Sequence, residues 1–246
     1  MIPEEKLSEF VKRVHEASGT NLQAIILFGS AAAGNFRPGL SDLNLLCVFG
    51  ESSFRVLRAL APTAKWWQRE KQPPPLCMTR EELTRSTDVF AIELLDMVQH
   101  HRVLYGEDVL AGLHIPTHLH RIQVEYELRE KLLLLRQHLL VAADSDSQIW
   151  DVLLHSAPSF ATLFRHALIA LAKDTISGRH EAVEALSKEL GFDASPMQQV
   201  LAVRERKMDS KKMNATEICS GYVFAIEKVA AAVDKALEAK YSGVKS

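Results

Sequence analysis

Two apolar runs lie close together near the start of the chain, and what separates them restricts the fold. Leu22 to Phe28 reads LQAIILF, and Leu43 to Phe49 reads LNLLCVF. Both are uncharged and rich in branched side chains, the pattern of strands buried on both faces. The first stops at Gly29-Ser30. The second is preceded by Asp42, with eleven residues between it and Ser30. The connecting AAAGNFRPGLSD is expected to start as a short helix and finish as a turn, because Gly34, Pro38 and Gly39 break regular structure.

This arrangement has a chemical reading. Gly29 carries no Cβ, so an anion can approach its main chain closely. Backbone N–H groups after the first strand, with the Ser30 hydroxyl, make a small phosphate cradle. Side chains two apart on a strand share a face, so Asp42 and Asn44 project together. If the two strands are neighbours, both point at whatever the Gly-Ser turn holds. An acid beside a phosphate calls for a bridging cation, and Mg²⁺ is the usual one.

Around this pair the first hundred residues alternate helix and strand. Leu7, Phe10, Val11 and Val14 space a helix over Glu5 to Ala17, ended by Ser18-Gly19. A helix is expected from Ser53 to Leu60, closed by Pro62. A short strand is expected at Leu76 to Met78, after three prolines. Thr79-x-x-Glu82 is a capping box opening the next helix. The run Val89 to Met97 reads as a further strand.

Past Gly112 to Thr117 the pattern becomes helical throughout: His118 to Ala143, Gln148 to Lys173, Glu181 to Leu190, Pro196 to Lys207 and Ala215 to Lys240. Short connections make these an antiparallel bundle of about five helices. The expected domains are therefore 1–112, mixed α/β, and 118–246, all-helical.

Composition narrows the function. The formal net charge of −2 gives no global basic field, so nucleic acid is not the expected partner and any phosphate ligand needs a local site. Three cysteines without a CxxC pair suggest neither a disulfide framework nor a zinc knuckle. The acidic, amphipathic start is unlike a signal peptide, and no apolar run is long enough to span a bilayer. A cytoplasmic location, with no membrane partner, is expected.

Phe28-Gly29-Ser30 followed by Arg37-Pro38-Gly39-Leu40-Ser41-Asp42-Leu43-Asn44 resembles the signature of the DNA polymerase beta-like nucleotidyltransferase superfamily. The order of a signature domain and then a helical bundle is similar to the aminoglycoside nucleotidyltransferases. The resemblance implies a nucleotidyltransferase-fold domain with a short mixed sheet. It also implies a nucleoside triphosphate ligand, ATP by preference, bound with Mg²⁺ through Gly29, Ser30 and Ser41. The implied reaction moves a nucleoside monophosphate to a hydroxyl on a small molecule or protein. Asp42, Asn44 and Glu93 take the metal positions, with Asp42 and Glu93 catalytic; Glu93 is the candidate third carboxylate because an acid in an apolar strand needs a metal or a basic partner, the alternative being a salt bridge to a core-facing arginine.

The chain departs from the family at Asn44, where a carboxylate is expected. An amide oxygen can coordinate a metal but brings no charge, which leaves open a nucleotide-binding or regulatory protein with weakened or lost turnover. A third reading keeps the fold only as a scaffold for protein contacts. In the bundle, Glu125 and Arg129 are one helical turn apart. By resemblance, Glu125 is a catalytic base and Arg129 a triphosphate contact; the alternative is an ordinary surface ion pair. His100-His101 and His118-x-His120 are expected on the surface or in loops. Arg204 to Lys212 is expected at a solvated helix end. Trp66-Trp67 is read as packing under a loop rather than as a stacking platform.

Overall fold

The computed structural model describes residues 2–34, 36, 41–173 and 178–242. They form two compact units, Met1–Pro116 and Thr117–Ser246.

The first unit opens with α1 (Glu4–Ser18), whose Leu7, Phe10 and Val14 are buried. β1 (Leu22–Phe28) and β2 (Asn44–Phe49) follow, then α2 (Phe54–Arg69), β3 (Leu76–Thr79), α3 (Arg80–Arg85), α4 (Ala91–Gln99) and β4 (His101–Gly106). The sheet order is β3-β2-β1-β4. β1 is antiparallel to both β2 and β4, and β2 is parallel to β3, so the sheet is mixed.

Both faces of the sheet are covered, which explains the unbroken apolar runs. Ile25, Leu27, Leu45, Cys47 and Phe49 pack with Phe10 of α1 and Trp67 of α2. Ala24, Ile26, Leu46 and Val48 pack with Leu83 of α3 and Leu94 and Met97 of α4. Alternation along β2 therefore places Asn44 on the α3/α4 face. Trp67 is fully buried against Phe10, and Arg13 lies over the Trp66 ring, so this aromatic pair belongs to the core.

Several expectations are corrected. The helix expected to close at Pro62 runs on to Arg69 with the proline inside it. Pro62 lies on the exposed side, where water can meet the Arg58 carbonyl that loses its donor. Ala91 to Gln99 is a helix, not part of a strand; its buried Ala91, Ile92, Leu94 and Met97 follow the helical repeat. The strand comes just after it, at His101–Gly106. A Cβ at Gly106, which has φ +75°, would collide with the main chain of Gln23. The expected capping box is present, with Thr79 Oγ1 accepting from Glu82 N and Glu82 accepting from Thr79 N.

The second unit comprises α5 (Thr117–Ala142), α6 (Asp146–Ala170), α7 (Arg179–Leu190), α8 (Ser195–Arg204) and α9 (Ala215–Ser242). α6 touches the other four and buries Trp150, Leu153, Phe160, Phe164 and Ala167 among them. Pro158 sits within α6 and cannot donate to the carbonyl of Leu154; Arg204 Nη1 at the end of α8 donates to that oxygen instead, at 2.8 Å. The basic stretch beginning at Arg204 is thus partly structural. His120 is buried rather than superficial, its Nε2 lying 2.9 Å from Nδ1 of the buried His166. Among the described residues no helix is long and apolar enough to cross a membrane.

Candidate functional site

Register places the end of β1 beside the beginning of β2. Phe28 pairs with Asn44 on one side and with His101 on the other. Three strand ends therefore meet at one edge of the sheet. Beyond Phe28 the chain turns at Gly29, whose φ of +77° belongs to the left-handed region that glycine adopts without strain. A Cβ built there would lie 3.1 Å from Asn44 Nδ2. The Gly-Ser turn and the opening of β2 converge, because the two strands are neighbours.

Residues 29–34 form a single turn rather than the expected helix, with Ala33 N donating to Gly29 O at 3.0 Å. Positive φ at both Gly29 and Gly34 brackets that turn and prevents its extension. The second half of the connection, residues 35 and 37–40, lies outside the described residues.

β2 begins at Asn44, one residue later than expected, so Asp42 precedes the strand and the pleat does not fix its side chain. Ser41 is half-buried and Asp42 exposed. What anchors this approach is Gln72, just after α2, whose Oε1 accepts the N–H of buried Leu43 at 2.7 Å. Sequence reasoning missed Gln72, because a glutamine in a proline-rich loop carries no motif.

Glu93 lies in the first turn of α4 and is exposed. The argument from a carboxylate inside an apolar strand therefore no longer applies. Neither β3 (LCMT) nor β4 (HRVLYG) carries an acid. Level with Phe28 and Asn44, β4 offers His101 instead. Its Nδ1 faces the carbonyl oxygens of Met97 and Val98 at 3.0 and 3.2 Å, and its Nε2 lies 3.1 Å from the Asp108 carboxylate. That contact holds the Asp108 carboxyl below its ordinary value, helped by the N–H groups of Leu110 and Ala111.

Among the described residues no three His, Cys, Asp or Glu side chains gather as metal ligands. Asp42 and Asn44 offer a carboxylate and an amide oxygen, a set suited to one hard cation completed by water and phosphate oxygens.

Glu125 and Arg129 belong to α5. Arg129 Nε donates to Glu125 Oε1 and Nη2 to Asp234 Oδ2 of α9, each at 2.7 Å. The hydrogen bond to Glu125 raises the Arg129 pKa further, with Asp234 adding to it. The pair is thus part of a three-membered ion network tying α5 to α9.

Residues 5–99 match the family model described as a nucleotidyltransferase domain. The chain carries a nucleotidyltransferase domain. A helical region, α5 to α9, follows it. Among solved structures, the chain is similar to the spectinomycin adenyltransferase AAD(9) from Enterococcus faecialis with ATP and spectinomycin. Identity is 14%, coverage 92% of this chain and 98% of that one, and the TM-score 0.57, a likeness of fold. A toxin-antitoxin structure with AMP-PNP matches at 17% identity over 41% of this chain and 73% of that one; its TM-score of 0.29 is too low to speak to the fold. No curated protein matches.

Proposed function

We propose that the nucleotidyltransferase domain binds a nucleoside triphosphate, ATP by preference, at the sheet edge formed by Gly29, Ser30, Ser41, Asp42 and Asn44. The proposed reaction transfers the nucleoside monophosphate to a hydroxyl of a small-molecule acceptor. The carrying observation is the approach of Gly29 to Asn44 at paired strand ends, which puts a Cβ-free turn beside the polar first residue of β2. In this reading the turn receives phosphate oxygens through main-chain N–H groups and the Ser30 hydroxyl. Asp42 and Asn44 hold a Mg²⁺ ion whose charge offsets that of the phosphates. Gln72 fixes the main chain between them. Arg129 remains with its two carboxylates in the bundle and is not required by this reading.

The decisive test combines two measurements. ATP with Mg²⁺ is expected to raise the melting temperature by several degrees, since a ligand at a hundred times its Kd adds about 2.7 kcal/mol. Pyrophosphate release is then screened over hydroxyl-bearing acceptors, with spectinomycin among them because the structural neighbour holds it. Asp42→Ala is expected to abolish release. No melting shift with any nucleoside triphosphate would exclude the proposal.

One observation favours a second reading, nucleotide binding without turnover. Asn44 stands where the family resemblance implies a carboxylate, and no three-acid group is present among the described residues. That reading expects the melting shift without pyrophosphate release for any acceptor.

A further inference from the structure

Two of the three cysteines are neighbours in the sheet. β2 and β3 run parallel, with Cys47 directly opposite Cys77. Residues in register on parallel strands point to the same face. Here it is the α1/α2 face: Cys47 is part of the core built around Phe10 and Trp67, and Cys77 packs against that core. Together with Phe10, Leu60, Pro74 and Pro75, the two cysteines line a cavity of about 180 Å³. Cys47 is buried and Cys77 partly exposed. Burial pushes the Cys47 thiol well above its ordinary pKa, and the nearness of Cys77 adds to the rise. Sequence spacing hides the pair, because α2 and the proline loop stand between the two cysteines in the chain.

We propose that Cys47 and Cys77 are a modification site, a dithiol that a small disulfide such as oxidised glutathione converts to an intramolecular cross-strand disulfide. Neighbouring strands stand about 4.8 Å apart. That lies within the range of roughly 4.4–6.8 Å between Cα atoms that a disulfide spans. The Cβ atoms must approach to about 3.5–4.5 Å, slightly closer than in-register parallel side chains stand. β3 can supply that shift, since it is an outer strand of four residues, paired on one side only. The cavity beside the two side chains leaves them room to rotate.

The chemistry runs in two exchanges. The thiolate of Cys77, the more accessible of the two, attacks one sulfur of the small disulfide. A mixed disulfide forms, and the first small thiolate leaves and takes up a proton, replacing the one Cys77 gave to water. The Cys47 thiolate then attacks Cys77 Sγ and expels the second small thiolate, which is protonated in the same way. In sum, two protein thiols and one small disulfide give one protein disulfide and two small thiols. Burial suits this end point, because the disulfide is uncharged. The adjustment asked of β3 makes the bond readily reduced, so the site is reversible. Neither cysteine belongs to the proposed nucleotide site.

Peptide mapping tests this on the full, folded chain. The protein is incubated with oxidised glutathione, its remaining thiols are blocked with N-ethylmaleimide, and it is digested without reduction for mass spectrometry. A linked Cys47–Cys77 peptide pair is expected, lighter than its two parts by two hydrogens, and reduced glutathione should open it. Cys219→Ser should leave the cross-link unaffected. Cys47→Ala should trap Cys77 as its mixed disulfide with glutathione, whereas Cys77→Ala should leave Cys47 unmodified until urea exposes it. The parent map alone decides if either alanine variant folds poorly. A folded parent whose Cys47 stays a free thiol, whose Cys77 stops at the mixed disulfide, or whose linked peptides all contain Cys219 would overturn the proposal. So would a cross-link that reduced glutathione fails to open.

Discussion

The side-chain oxygen of Gln72 accepts the main-chain N–H of Leu43 at 2.7 Å, joining the loop after α2 to the residue between Asp42 and Asn44. Gln72→Leu is expected to leave that N–H unsatisfied and cost about 1–3 kcal/mol in urea denaturation. It should also shrink the ATP-dependent melting shift, whereas Gln72→Glu, which keeps an acceptor, should recover much of the stability. Equal stability of Gln72→Leu and the parent would show that the bond positions nothing.

Gly29→Ala tests the turn. The φ of +77° is expected to cost about 1–2 kcal/mol for any L side chain, and the new methyl group presses on Asn44 Nδ2. Nucleotide binding should weaken beyond what the stability loss explains, as read by titration calorimetry at a temperature where the variant is fully folded. Unaltered ATP affinity would place the ligand elsewhere.

Asn44→Asp adds the missing charge. Even at the dielectric of water, a carboxylate about 4 Å from a unit charge gains about 1 kcal/mol, and a divalent ion doubles that. Mg²⁺ or Mn²⁺ affinity in the presence of ATP is therefore expected to rise about tenfold or more. Restored pyrophosphate release would mean that the chemistry was weakened only here. Unchanged metal affinity would remove Asn44 from the metal's surroundings.

In the second unit, Arg204 and Pro158 should be energetically coupled through the Leu154 carbonyl. Arg204→Met is expected to cost about 1 kcal/mol. In a Pro158→Ala background, where the substituted residue can supply the missing N–H, the same change should cost much less. A double-mutant cycle measures the difference; additive effects would contradict the coupling.

Asp108 carries a pH signature. Its carboxyl is held below its ordinary 3.8, first by the hydrogen bond with His101, so the charged form is favoured by the fold. The resulting stabilisation is complete above the ordinary value and is lost as pH falls through the lowered one. Chemical denaturation should show Asp108→Asn less stable than the parent at neutral pH, with the gap closing below about pH 4. A gap that stays constant into acid would contradict the assignment.

How much was readable in advance depended on what each signal measures. Spacings of three and four placed the five helices of the second unit to within a few residues, since one periodic face must meet a core. The strand Leu22–Phe28 was legible from its unbroken branched run and its sharp Gly-Ser stop. The segment AIELLDMV failed because a short apolar run suits a buried strand or helix equally; the true strand, HRVLYG, is only half-buried and gave a weaker pattern. Glu93 was misplaced with it. The meeting of Gly29 with Asn44 could be anticipated because it needs only neighbouring strands. Gln72 could not, since its role depends on a contact 29 residues away in sequence.

The three prolines before β3 have a consequence for the protein's life in a crowded solution. β3 is a four-residue outer strand with Leu76 nearly half exposed, the kind of border that can template cross-β growth. Pro73, Pro74 and Pro75 offer no N–H to an incoming strand. An incoming strand therefore finds a ladder no longer than Leu76–Thr79, and the prolines stop it from extending towards α2.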